Sequence, residues 1–104
     1  MNLLSPQTLR DFIEQHPESE QVIRAWYNSL KKLEPRHFAD LKSAFAAVDA
    51  VRLERYQITV FIFDVGGNKY RVVTRIDFEY RIGFIIAIFT HTEYDDWNRL
   101  GRPI

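Results

Sequence analysis

The stretch Val60–Tyr80, VFIFDVGGNKYRVVTRIDFEY, changes character at its two glycines. Ahead of them, ITVFIFDV from Ile58 to Val65 is apolar on both faces, as a central strand requires. Beyond them the residues alternate strictly. Tyr70, Val72, Thr74, Ile76 and Phe78 fall on one face, and Lys69, Arg71, Val73, Arg75 and Asp77 on the other. Gly66-Gly67 stands where a two-residue hairpin turn belongs. The stretch therefore predicts an antiparallel hairpin with one face suited to a core and one carrying cations.

Downstream, GFIIAIFT (Gly83–Thr90) is again apolar on both faces, and EYRIG turns the chain into it. Upstream, VRLER (Val51–Arg55) is short and half-polar, which predicts an edge strand. Residues 5–48 carry helical spacing instead. Ser5-Pro6 reads as an N-cap and first helical residue, after which Leu9, Phe12 and Ile13 share a face. His16-Pro17 should end that helix, because proline disfavours helix in the residue before it. A second helix is expected from Ser19 to Leu33, with Val22, Ile23, Trp26, Leu30 and Leu33 as its stripe. Pro35 separates it from a third, in which Phe38, Leu41 and Phe45 recur at steps of three and four. The segment EYDDWNRL predicts a short C-terminal helix. Helices followed by an antiparallel meander read as an α+β fold.

The 104 residues suit a single domain over 1–104, 46% hydrophobic and 27% charged. Fourteen basic and fourteen acidic side chains cancel, so any electrostatic recognition must come from local clustering. Absence of cysteine excludes disulfides, thiolate chemistry and Cys-based zinc sites. The N-terminus lacks the pattern of a signal peptide, and no apolar run is long enough to span a bilayer; a cytoplasmic protein is expected. Glu93, Asp95 and Asp96 lie near His91, but no paired histidines accompany them at ligand spacing, so no metal or other cofactor is expected. Gly66-Gly67 lacks the spacing of a phosphate-binding loop, and no serine or threonine sits in a nucleophile motif.

A two-residue turn at Gly66-Gly67 would pair Lys69 with Asp64 and Arg71 with Ile62. If the next hairpin turns around Tyr80-Arg81-Ile82, Arg71 lies opposite His91 and Arg75 opposite Ala87. Phe61, Phe63, Tyr70, Val72, Ile76, Phe78, Ile86 and Ile88 would then face the helices. Lys69, Arg71, Arg75 and His91 would gather over an apolar floor of Val60, Ile62, Val73, Ala87 and Phe89. Such a face suits a polyanion, and its exposed floor calls for a partner that covers it. The simpler reading of alternating cations on a strand is a solvated face, with Asp64 and Asp77 as their partners.

Four segments, RAWYNSLKKLE, DLKSAFAAVDAV, VFIFDVGGNKYRVVTRIDF and IFTHTEYDDW, resemble in order a HigB-type toxin of a bacterial type II toxin–antitoxin system. GGNKYR followed by THTEYD is the specific part. The resemblance implies the RelE/ParE-like fold, helices on a twisted antiparallel sheet, and messenger-RNA cleavage at the ribosome without a metal. It also implies a helix-turn-helix, HigA-like antitoxin as partner. Asn68, Lys69 and Arg71 carry over from GGNKYR, and His91, Glu93, Tyr94 and Asp95 from THTEYD. Where the family pattern often has asparagine, this chain has Asp64.

On that reading the ribose 2′-hydroxyl attacks the adjacent phosphorus, and the protein must align it, stabilise phosphate charge and move protons. Arg71 and Lys69 are cast as phosphate clamps, and Arg75 as an outer guide for the backbone. His91 is the proton-transfer candidate, since histidine is the side chain that ordinarily titrates nearest neutrality. Tyr94 stacks on a base or assists a proton, while Asn68 holds the turn. Alternatives are a non-catalytic toxin of the same superfamily that blocks a protein target, or a binding module for an acidic protein segment.

Overall fold

The computed structural model describes residues 1–104. In chain order it contains β1 (Asn2–Leu4), α1 (Pro6–Gln15), a 3-10 turn (Pro17–Ser19), α2 (Glu20–Lys31) and α3 (Phe38–Ala44). There follow β2 (Val48–Leu53), β3 (Ile58–Val65), β4 (Tyr70–Asp77), β5 (Ile82–Thr90) and α4 (His91–Arg99). Strands β2 to β5 form the expected antiparallel meander with β2 at one edge. The sheet is nevertheless mixed. Its other edge is β1, which runs parallel to β5 and pairs Leu3 with Gly83. Three residues are too few to show a period, so nothing in NLL announces this strand.

The helical stripes fall where their spacing puts them. Leu9, Phe12 and Ile13 of α1 and Ile23, Trp26 and Leu30 of α2 are buried, as is Leu41 of α3. They meet Phe61, Phe63, Val65, Tyr70, Val72 and Ile85 on one side of the sheet. Aromatic edges lock this layer, with Trp26 and Phe45 each 5.2 Å from the Phe63 ring in T-shaped contacts. Ser5 precedes α1, but with φ 73° it makes no side-chain cap.

The opposite side of the sheet holds a second, smaller core of Leu53, Val60, Ile62, Val73 and Trp97. This corrects the expected open floor. The alternation was right about which residues share that face, but α4 lies across it and its Trp97 seals it, leaving Val60 and Val73 fully buried.

Both hairpin registers differ from the expected ones. The β3–β4 turn takes four residues, Gly66 to Lys69, so Asp64 pairs with Arg71 and Ile62 with Val73. Gly66, Gly67 and Asn68 all adopt positive φ, and the Asp64 carboxylate accepts the Asn68 N–H at 2.8 Å, which holds the longer turn. The slip is two residues, a full strand period, so every side chain that stays in the two strands keeps its face, while Lys69 passes from the expected strand into the turn. Between β4 and β5, Arg71 pairs with Phe89 rather than His91, and Arg75 with Phe84 rather than Ala87. A bulge at Val73/Thr74 leaves one extra β5 residue unpaired and reverses the alternation beyond it. Hence Ile85 enters the main core, while Ile86 packs against the second one, contrary to its expected place beneath the helices.

Candidate active site

Arg71 projects from β4 on the α4 side of the sheet, with only 15% of its side chain exposed. Its Nη1 donates to Asp64 Oδ1 at 3.3 Å and to the Tyr70 carbonyl at 3.4 Å, and its Nη2 donates to Asn68 Oδ1. The guanidinium carbon lies 5.3 Å from the centroid of the Tyr94 ring, a cation–π arrangement. An arginine has five N–H donors, so the Nε–H and one Nη2 N–H remain for an acceptor from outside. The side chain is thus held over an aromatic ring by the turn that precedes it. That is a preorganised cation with unused donors.

Tyr94 owes its place to α4. Thr90 Oγ1 accepts the Glu93 N–H at 3.3 Å while Glu93 Oε1 accepts the Thr90 N–H at 2.8 Å, a complete capping box. The helix therefore begins at His91 rather than further on. One turn later Tyr94 packs in tilted contact with Phe89 and Trp97, at centroid distances of 6.4 and 5.9 Å. The Trp97 indole N–H donates to the Pro103 carbonyl at 2.8 Å, tying down the segment that follows. Replacing Thr90 by alanine should remove about 1 kcal/mol of stability. It should also loosen the Tyr94 ring over Arg71, visible as increased amide exchange over residues 91–95. Exchange there equal to wild type would contradict the role given to the cap.

Other expected site residues are more dispersed. His91 is the first residue of α4, not a strand residue on the cationic face, and 53% of its side chain is exposed. Its N–H donates to the Lys69 carbonyl at 3.0 Å, and its Nε2 stands 3.5 Å from Asp95 Oδ2. His91 and Tyr94 are three residues apart on a helix and therefore neighbours on one face. Lys69, in contrast, lies in the turn and lines a cleft with Glu18, Val22 and Tyr70 on the helix-covered side. It does not join Arg71. Arg75 is exposed on the Arg71 face, four strand residues and roughly 13 Å further along. Asn68 both holds the turn and accepts from Arg71.

Two contributors were named in the residue-by-residue reading without the contacts they make. Asp64, expected opposite Lys69 and, on the simpler reading, a partner of the strand cations, is the carboxylate partner of Arg71; the true turn length selects which cation it meets. The capping box was open to reading, since Thr90-x-x-Glu93 has the required spacing.

The helices and mixed sheet are compatible with the fold of a RelE-like toxin. The model of the HigB toxin family, "RelE-like toxic component of a toxin-antitoxin system", matches residues 19–97. The "mRNA interferase toxin HigB" of Escherichia coli (strain K12) is 30% identical over 102 residues, 98% of this chain and 95% of that relative. The "mRNA interferase HigB" of Escherichia coli O6:H1 (strain CFT073) is 26% identical over a similar span, 98% of this chain and 96% of its own length. This chain belongs to the HigB toxin family, RelE-like toxic components of toxin–antitoxin systems.

Proposed function

We propose that this toxin is an endoribonuclease that cleaves messenger RNA by attack of a ribose 2′-hydroxyl on the adjacent phosphodiester. The observation that carries the reading is Arg71, fixed by Asp64 and Asn68 against Tyr94 with two N–H donors unassigned. A cation already held in place stabilises developing phosphate charge without reorganising during the reaction. His91 on the same helix as Tyr94 supplies the proton-transfer group, and Arg75 guides the RNA backbone along β4. The names of the relatives, mRNA interferases over nearly the whole chain, support the same substrate.

The site as proposed comprises Arg71, His91 and Tyr94 with Asn68 as their positioning residue, and Lys69 as a more distant electrostatic contributor. The chain acts as a single cytoplasmic domain, on mRNA at the ribosome and without a metal, and a HigA-like helix-turn-helix antitoxin neutralises it. One observation favours a second reading, a non-catalytic toxin that blocks a protein target. The Asp64 ion pair neutralises Arg71, and Lys69 stands apart, so the cationic cluster is smaller than its sequence promises.

Induced expression without the antitoxin should arrest bacterial growth, with new 5′ ends appearing inside coding sequences. Co-expression of the antitoxin should relieve both. Unchanged growth at verified soluble expression would count decisively against the proposal.

A further inference from the structure

Beyond the edge of α4, the Arg71 face continues outward to a second place where an arginine and an aromatic residue are paired across the strands. Arg75 pairs with Phe84 across the β4–β5 ladder, so both side chains leave the same face of the sheet. Phe84 is 44% exposed, one of few large apolar side chains left open, and Leu4 of β1, its neighbour on the other side, is 37% exposed. Arg75 makes no hydrogen bond or ion pair with another side chain, unlike Arg71. Asp77, two residues on, is the nearest acid along the strand. Its carboxylate is engaged instead by the turn, accepting the N–H groups of Glu79 and Tyr80 at 3.0 and 3.1 Å. Arg75 and Phe84 line a cleft of about 450 Å³ with Ile76, Asp77 and Phe78.

The bulge produces this pairing. In an unbroken ladder Arg75 would face Ile85, and Phe84 would point to the helices. Because one β5 residue is extra, an aromatic ring comes out beside the cation. An unpaired arginine next to an open aromatic face is the elementary unit of single-stranded nucleic-acid binding, the cation taking phosphate and the ring stacking on a base. An acidic peptide would use the arginine but gain little from the flat ring.

We infer that Phe84 is a base-stacking platform for a nucleotide of the substrate RNA outside the cleavage step, with Arg75 holding the phosphate beside it. The inference rests on the endoribonuclease reading. It gives the substrate a path along β4, from Arg71 at the reacting phosphate to Phe84 roughly 13 Å away.

The test is steady-state cleavage of a defined transcript, programmed on ribosomes, by the full chain and its Phe84 variants. Phe84→Ala should raise KM about 5- to 150-fold, the range a lost stacked base represents, with kcat within about twofold. Phe84→Trp should restore KM to within a fewfold of wild type. Phe84→Leu, which keeps the apolar patch without the ring, should behave like alanine. The residue is half open, so all three variants should fold, as circular dichroism would show. Should alanine alone unfold, leucine against tryptophan decides. Wild-type KM in folded Phe84→Ala, or full activity in Phe84→Leu, would overturn the platform while leaving cleavage intact. Unchanged KM with lost antitoxin neutralisation would assign the patch to the protein partner and overturn it equally. A wild-type protein that cuts no RNA removes the cleavage reading and this inference together.

Discussion

Replacing Arg71 by alanine is expected to lower the RNA cleavage rate about a hundredfold or more, the loss seen when one preorganised donor to a developing anion is removed. The geometry sharpens the expectation. Asp64 and Asn68 hold the guanidinium and Tyr94 supports it from one side, so its position is fixed before any substrate arrives. Arg71→Lys should recover only part of the rate. An ammonium can pair with Asp64 but cannot contact Asp64, Asn68 and an outside phosphate oxygen in one plane. Asp64 keeps 31% exposure, so water can solvate its carboxylate once the partner is gone, and the variant should remain folded. Single-turnover rates of folded variants check the effect. A folded Arg71→Ala protein with wild-type cleavage would remove Arg71 from the site.

His91→Gln should slow cleavage by roughly 10²- to 10⁴-fold, the usual contribution of a positioned acid–base group. Glutamine retains size and polarity but cannot shuttle a proton. His91 is half exposed and touches neither core, and the capping box that starts α4 depends on Thr90 and Glu93 instead. Loss of rate therefore reports on chemistry rather than on folding. Binding to the RNA or the ribosome should change far less than the rate, which separates proton transfer from a docking role. Wild-type turnover in His91→Gln would leave Tyr94 as the remaining group on that helix face.

Much of the fold was legible because amphipathic periods survive errors of detail. Leu9, Phe12, Ile23, Trp26 and Leu30 are buried as their spacing requires, and Tyr70, Val72 and Val73 take the faces that alternation gives them. The β3–β4 register was wrong by two residues and cost nothing in sidedness for the residues that stay in the strands, since two is the strand period. The β4–β5 register was wrong by an odd number beyond the bulge, and there the reading failed for Ile86. A bulge leaves no local signal in GFIIAIFT, where every residue is apolar enough for either face. The parallel strand β1 depends on a contact across nearly the whole chain, which local patterns do not carry.

The arrangement of the candidate site residues was only partly legible. Arg71 and Tyr94 do come together, and GGNKYR and THTEYD are adjacent in space, as the His91 N–H to Lys69 carbonyl bond shows. Lys69 does not reach Arg71, because the four-residue turn swings it to the helical side. The apolar floor that read as open surface is the underside of α4. EYDDWNRL predicted that helix, but only the packing of Trp97 shows which face it covers.

Primer extension on cellular transcripts tests the central claim most directly, comparing cultures that express the wild-type chain or Arg71→Ala without antitoxin. The account expects new 5′ ends within coding sequences soon after wild-type induction, and none above background with Arg71→Ala at equal soluble protein. Growth arrest by the wild type with every transcript intact would contradict it, and would leave a toxin that acts by blocking a protein target.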